Sequence, residues 1–136
     1  MLSRKKFREI VFLLLFSEDF FSIEGEEYFS FFMENMKVTK KNVKDAYFYI
    51  LKILSKKKEI DALIKKTSKS YSFNRISKVE LNILRLGIYE MIFDENIPNK
   101  VAISESIRLS RKFSSKDSAK FVNAIIDNIY KSYYKK

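Results

Sequence analysis

The sequence lacks cysteine and histidine, and it contains only 2 glycines and 1 proline in 136 residues. Without cysteine no disulfide can form, and without both residues no zinc site can be built from the usual nitrogen and sulfur ligands. The same absences remove histidine acid–base catalysis, cysteine nucleophiles and any serine–histidine–aspartate triad. Sparse glycine and proline favour long helices over a sheet protein, which would need many turns.

Other catalytic patterns are also missing. No glycine-rich phosphate loop is present, because the two glycines lie far apart in the sequence. A carboxylate metal site made from Glu80, Glu90 and Glu105 stays open, although nothing in their spacing requires one. Tyr89 beside Glu90 is interpreted as a buried tyrosine next to a helix-surface acid. We therefore expect that the protein is not an enzyme.

The charge balance is strongly basic. The chain carries 27 basic and 17 acidic residues, which gives a formal net charge of +10. This charge favours an anionic partner, nucleic acid first and a membrane surface second. A competing interpretation is codon bias, because Lys, Ile, Phe, Asn and Ser dominate the composition, as they often do in proteins from AT-rich genomes.

An apolar run near the start of the chain resembles a secretory signal only superficially. The run Ile10–Phe16 follows basic residues, but it is short, lacks a small-residue cleavage site and is followed by Glu18 and Asp19. It is also too short to span a bilayer. We expect a cytoplasmic protein without membrane association.

Apolar periodicity predicts an all-α protein. Residues 1–136 are expected to form a single-domain bundle of about seven helices, arranged as two packed subbundles. The first helix is predicted over residues 3–17, and a second from about Ser22 to Met36. The apolar face of the first helix consists of Phe7, Ile10, Val11, Leu14 and Leu15.

Helix boundaries are indicated by a few local signals. Thr39 is a predicted N-cap, and Ser77 with Glu80 fits a capping box at the start of a central, mostly apolar helix. Within that helix Gly87 indicates a close crossing with another helix, since glycine otherwise costs about 1 kcal/mol relative to alanine. Pro98 is expected in the first turn of the next helix.

Basic residues crowd the opening turn of the first helix. The cluster consists of Arg4, Lys5, Lys6 and Arg8. This end of the helix dipole is positive, and acidic residues are preferred there by up to about 1 kcal/mol each. Because this cluster departs from the charge preference of helix N-termini, it suggests a function. We interpret that function as RNA binding. The alternative is a frayed, solvated terminus.

Three segments combine apolar periodicity with recurring polar residues. They are Leu84–Met91 (LRLGIYEM), Ile97–Ser106 (IPNKVAISES) and Asp117–Asp127 (DSAKFVNAIID). In these segments the chain resembles the NusB family of bacterial antitermination factors. The resemblance extends over essentially the whole chain and is specific from residue 76 onward.

The resemblance implies a non-enzymatic adaptor without a cofactor. Such a protein would bind the single-stranded boxA element of nascent ribosomal RNA together with NusE, a ribosomal small-subunit protein. The complex would help RNA polymerase to pass terminators during antitermination, and it would support maturation of the ribosomal RNA.

Binding of single-stranded RNA needs phosphate contacts and planar groups against bases. Lys112, Lys116 and Lys120 recur at four-residue spacing, with Phe113 and Asp117 among them. We predict that these five residues bind RNA, with Phe113 stacking on a base and Asp117 accepting from a base edge. The alternative places Phe113 in the core and makes Asp117 a helix cap.

Acidic residues are the candidates for binding NusE. Glu80 matches a family position that faces NusE, and a capping role can coexist with this one. Residues 18–36 contain six acidic and no basic residues. Within them, Glu26 and Glu27 are predicted to attract a basic ribosomal protein.

Two other classes of protein stay open. One is a helical homodimeric interaction protein that buries aromatic residues such as Phe29 without specific RNA binding. The other is a detached domain of an rRNA cytosine methyltransferase, because NusB-like domains also occur at the front of such enzymes. It also stays open whether the lysine-rich residues 37–58 contact RNA.

Overall fold

The computed structural model describes residues 2–19, 34, 37–68 and 73–134, and the regular secondary structure among them is helical. The six α-helices are α1 (Arg4–Glu18), α2 (Lys40–Ser55), α3 (Lys57–Thr67), α4 (Lys78–Ile88), α5 (Asn99–Phe113) and α6 (Lys116–Tyr134). The predicted all-α class is confirmed. The helix predicted from Ser22 to Met36 lies outside the described residues, apart from residue 34.

The chain divides into two compact units, Met1–Leu54 and Ser55–Lys136. In the first unit α1 is buried along most of its middle. Its apolar side chains at 0 to 1% exposure are Ile10, Val11, Phe12, Leu14 and Leu15. Phe12 was not part of the predicted apolar face, so α1 is covered on more sides than its periodicity indicates.

Helix α2 packs in the first unit through one face. Thr39 accepts a hydrogen bond on Oγ1 from the backbone N–H of Asn42 at 3.2 Å, which confirms the predicted N-cap. The core-facing side chains are Val43, Ala46, Ile50 and Ile53. The rings of Phe7 and Tyr49 meet edge to face with centroids 6.1 Å apart, so the start of α1 lies against the middle of α2.

In the second unit α4 is the central helix. Every residue from Leu81 to Ile88 is buried, and α4 contacts α3, α5 and α6. A Cβ added at Gly87 would collide with Ser106 Oγ of α5 and would lie 3.1 Å from Ile126 Cδ1 of α6. The close helix crossing predicted at Gly87 is therefore confirmed.

A buried ion pair joins α3 to α4. Arg85 donates from Nε to Asp61 Oδ1 and from Nη2 to Asp61 Oδ2, both at 2.9 Å. Arg85 is only 5% exposed, and its Nη1 also donates to Asn82 Oδ1 at 3.3 Å. Two parallel charge-assisted bonds fix both distance and orientation between the helices.

A π-helical segment, Tyr89–Phe93, continues α4. The N–H of Asp94 donates to the carbonyl of Tyr89 at 3.1 Å, which widens the last turn. Tyr89 is buried as predicted, and burial together with the Asp94 carboxylate raises its pKa. The prediction that Glu90 is a surface acid is wrong, since Glu90 is 3% exposed. Every residue from Leu81 to Met91 is buried, so an acidic side chain at position 90 has no solvent-facing side on which to lie.

Hydrogen bonds hold the start of α5 and the end of α6. Pro98 is the residue before α5, one position earlier than predicted, and its carbonyl accepts from the N–H of Ala102 at 3.1 Å. Near the end of α6, the Tyr134 hydroxyl donates to the carbonyl of Met91 at 2.9 Å. The π-helical segment and the last turn of α6 are thereby tied together.

Because Ser106 lies against Gly87, we expect the effect of Gly87→Ala on stability to depend strongly on Ser106. Gly87→Ala should destabilise the protein by about 1 to 2 kcal/mol, since overpacking costs roughly 1–3 kcal/mol and better helix propensity offsets part of it. In a Ser106→Ala background the same change should cost clearly less, because the colliding hydroxyl is gone and only the close contacts with Ile126 and the Cβ of residue 106 remain. Urea unfolding of the four proteins measures this coupling, and equal effects of Gly87→Ala in both backgrounds would contradict it.

Candidate nucleic-acid interface

The start of α1 carries exposed positive charge. Arg4 and Lys5 are exposed and Lys6 is half-exposed, and the first turn contains no acidic residue. Ser3 caps the helix by accepting from the N–H of Lys6 at 3.1 Å. The basic side chains thus lie at an ordered helix N-terminus, whose amides and dipole also favour an anion.

Arg8 differs from the other members of the predicted basic cluster. It is 6% exposed, and the neighbouring Glu9 is 7% exposed. Both residues have interaction partners within the protein. A buried guanidinium of this kind serves packing and internal pairing. The exposure of Arg8 therefore does not support the prediction that it contacts RNA, in contrast to that of Arg4, Lys5 and Lys6.

The structure brings the second group of predicted residues together at the junction between α5 and α6. Lys112, Lys116, Asp117 and Lys120 are exposed, and Phe113 is half-buried. Lys112 Nζ lies 5.7 Å from the centroid of the Phe113 ring. The ring of Phe113 is therefore neither a core side chain nor a fully exposed one.

The cap of α6 is Ser115, so the alternative role of Asp117 as the cap is wrong. Ser115 Oγ accepts from the N–H of Ser118 at 3.1 Å. Asp117 instead lies exposed in the first turn, where its charge suits the helix dipole. Asp117 lies between Lys116 and Lys120 in the sequence, and it is not needed to cap the start of α6.

The helix dipole distinguishes among the lysines. Lys112 and Arg111 lie in the last turn of α5, where cations are stabilised. Lys116 begins α6, at the positive end of its dipole, where a cation is disfavoured. Stability alone thus accounts for Lys112 but not for Lys116. Helix α2 also begins with two lysines, so a basic first turn by itself does not define a site.

Glu80 connects the start of α4 to the α5–α6 junction. Its Oε1 accepts from the N–H and Oγ of Ser77, at 3.4 and 3.0 Å, which confirms the predicted capping box. Its Oε2 accepts from Ser118 Oγ at 2.7 Å. Ser118 Oγ is in turn 2.7 Å from Ser114 Oγ, which acts as the donor because the Ser118 proton points to Glu80. Glu80 therefore has a structural role as the link between α4 and α6, and its half-exposed side chain also leaves room for the predicted contact with NusE.

Two exposed residues next to this surface were missed by the sequence analysis. Arg111 precedes Lys112, and Asn123 follows Lys120 by three residues on the same face of α6. The four-residue spacing of the lysines leads to position 124, which is alanine, so Asn123 is found only if three-residue neighbours on the helix face are also considered. The predicted partner residues Glu26 and Glu27 lie outside the described residues.

Among the described residues, no group of three acidic side chains could hold a metal ion. Two of the three carboxylates that left a metal site open are engaged elsewhere. Glu80 belongs to the serine network, and both oxygens of Glu105 accept from Arg108 Nε, at 3.1 and 3.0 Å. Within the same part of the chain, every helix is too short or too polar to cross a membrane.

Together these features define an all-α protein with basic surfaces at helix ends. The sequence profile of the NusB family matches residues 5–131. The transcription antitermination protein NusB of Clostridium perfringens (strain 13 / Type A) is 38% identical over 133 residues, with 96% of this chain and 98% of the relative covered. The chain belongs to the NusB family.

Solved structures support the same assignment. The structure of T. maritima NusB matches with a TM-score of 0.78 and 35% identity, over 96% of this chain and 92% of that one. A crystal structure of the antitermination factors NusB and NusE in complex with dsRNA matches with a TM-score of 0.79 and 30% identity, over 96% and 97% of the two chains.

The serine network predicts an effect of Ser118 on stability. Ser118→Ala should lower the free energy of unfolding by about 1 to 2 kcal/mol, because a hydrogen bond to a charged group is lost and water only partly replaces it at Glu80. Ser104→Ala is the matched control, since the Ser104 hydroxyl is exposed and bonds only to a carbonyl of its own helix. Equal stability of the two variants in urea unfolding would rule out a stabilising role for the network.

Proposed function

We propose that this protein is a cytoplasmic, non-enzymatic adaptor of transcription antitermination. It binds boxA-type single-stranded RNA in nascent ribosomal RNA together with NusE, and the complex acts on RNA polymerase and supports rRNA maturation. Residues 1–136 act as one RNA-binding domain. The observation that carries the proposal is the grouping of exposed lysines with the partly exposed Phe113 ring at the α5–α6 junction, in a member of the NusB family.

Phosphate contacts come from the basic residues of each unit. In the first unit they are Arg4, Lys5 and Lys6, and in the second Lys112, Lys116 and Lys120. Such contacts supply affinity and fix the path of the strand, but they carry little sequence information. Arg8 is assigned to packing because it is buried.

Base contacts come from the α5–α6 junction. The partly exposed Phe113 ring offers a surface for stacking, and the exposed Asp117 carboxylate accepts hydrogen bonds from base amino groups. Asn123 adds a side chain that both donates and accepts. These groups supply the sequence preference that lysines alone would lack.

Glu80 lies on the surface that meets NusE. It is half-exposed, and its Oε2 accepts from Ser118, so the partner surface and the RNA surface share one hydrogen-bonded network. The solved complex of NusB, NusE and dsRNA supports a three-part assembly. Glu26 and Glu27 remain predicted partner residues.

The proposal predicts selective and cooperative RNA binding. Fluorescence anisotropy with a boxA RNA should give affinity at least about tenfold above a scrambled strand, and NusE should increase it further. Each phosphate contact should contribute roughly 0.7 to the slope of log K against log salt concentration. A duplex of the same sequence tests whether the single strand is preferred.

Weak and equal binding to all three RNAs, with a steep salt dependence and no effect of NusE, would contradict the proposal. It would mean that the protein binds RNA only as a generic polycation, through its net charge of +10. Concentration-dependent self-association without RNA binding would instead favour the homodimeric interaction protein.

Charge-neutralising variants test the location of the site. Lys116→Gln and Lys120→Gln should each weaken boxA binding several-fold and reduce the salt slope by roughly 0.7, as expected for one lost phosphate contact on a single strand. Lys100→Gln removes an equally exposed charge from the start of α5 and serves as the control. Equal losses for Lys100→Gln and Lys116→Gln would show that charge acts without regard to position.

A further inference from the structure

The outer face of α2 carries an aromatic side chain among lysines. The exposed residues of this helix repeat at helical spacing and form one stripe opposite the core. We call it the outer stripe, and it consists of Lys41, Lys44, Asp45, Phe48, Leu51 and Lys52. Phe48 is 60% and Leu51 43% exposed. An exposed pair of large apolar side chains on an otherwise polar face is not explained by the core of α2.

Phe48 lies at the centre of the outer stripe. Lys44 and Lys52 are each four residues away, which places them about 6 Å along the helix axis on either side. Lys41 forms an ion pair with Asp45 at 2.9 Å, so the one acidic residue of the stripe is neutralised locally. The stripe therefore presents a ring between two positive charges.

We propose that the outer stripe is a second RNA-binding surface, on which a base of single-stranded RNA stacks on Phe48 while Lys44 and Lys52 contact the flanking phosphates. Aromatic rings interleaved with cations are the usual way to hold single strands, because every base has a face that can stack. This inference rests on the proposed function and extends the RNA path beyond the residues assigned there.

Helix α2 lies beside the start of α1 within the first unit. Phe7, one turn after Arg4, meets Tyr49 edge to face at 6.1 Å, and Phe48 is the neighbour of Tyr49 in the sequence. The Tyr47 ring also lies 6.1 Å from Phe48 and adds to the aromatic surface. A strand bound at the start of α1 can therefore continue along α2 within the same unit.

A protein partner fits the outer stripe less well than RNA. A specific protein interface buries about 800 Å² on each partner, whereas a single aromatic side chain contributes only about 150–250 Å². Phe48 and Leu51 are the two large apolar side chains exposed on the stripe, and lysines, which protein interfaces disfavour, surround them. One or two stacked bases match this small area.

The test compares a boxA-length RNA with the same RNA extended by about six unstructured nucleotides at either end. The wild-type protein should bind one of the extended RNAs about tenfold more tightly than the short one. Phe48→Ala should remove this gain and leave binding of the short RNA unchanged, while Phe48→Tyr should retain the gain. Lys44→Gln should reduce the salt slope for the extended RNA by roughly 0.7, and Lys100→Gln should not.

Leu51→Ala is the matched control, because it removes exposed apolar surface from the same stripe without removing a ring. Extended RNA that binds no more tightly than short RNA would overturn the inference, as would equal losses for Phe48→Ala and Leu51→Ala. Weakened NusE binding by Phe48→Ala with RNA binding intact would assign the stripe to a protein instead. If the wild-type protein binds no boxA RNA, the proposed function is overturned as well. If it binds short and extended RNA equally tightly, only the inference about the outer stripe is overturned.

Discussion

The close approach of α4 to α5 and α6 at Gly87 is the constraint on which the second unit depends. A single added Cβ would collide with Ser106 of α5 and lie close to α6. Because interiors are packed as densely as organic crystals, such a contact allows few alternative arrangements. The junction between α5 and α6 therefore has a fixed position relative to α4.

Polar contacts at both ends of α4 reinforce this arrangement. At its start, Glu80 accepts from Ser118 and so attaches the first turn of α6. Near its end, Arg85 holds α3 through a bidentate pair with Asp61. The lysines and the ring at the α5–α6 junction are thus displayed by a rigid core, which lowers the entropic cost of ordering them on a ligand. The basic residues at the starts of α1 and α6 oppose the helix dipoles, so helix stability does not account for them.

Local features were predictable from the sequence because each depends on residues within one turn. The grouping of Lys112 to Lys120 around one junction and the close crossing at Gly87 were also expected, although the partners Ser106 and Ile126 at that crossing were not. The caps at Thr39 and Ser77 depend on one turn only. Their chemical signals are specific and need no knowledge of the rest of the chain.

Features that depend on distant residues or on irregular geometry were not predictable. The Asp61–Arg85 pair joins residues 24 apart, and the bond from Ser118 to Glu80 spans 38. The π-helical segment carries no evident sequence signal. Glu90 is buried although its charge predicted a surface position, because the helix is covered on all sides by distant parts of the chain. Burial of Arg8 likewise follows from how α1 is covered, which periodicity alone did not show.

The most direct test of the account is a map of amide chemical shifts in the ¹⁵N-labelled protein during titration with boxA RNA. The account predicts that the largest changes fall at residues 4–6 and 112–123, with little change around Lys58 and Lys100. Changes spread evenly over exposed lysines throughout the chain would contradict it, because they would show that the RNA recognises net charge and not these two helix ends.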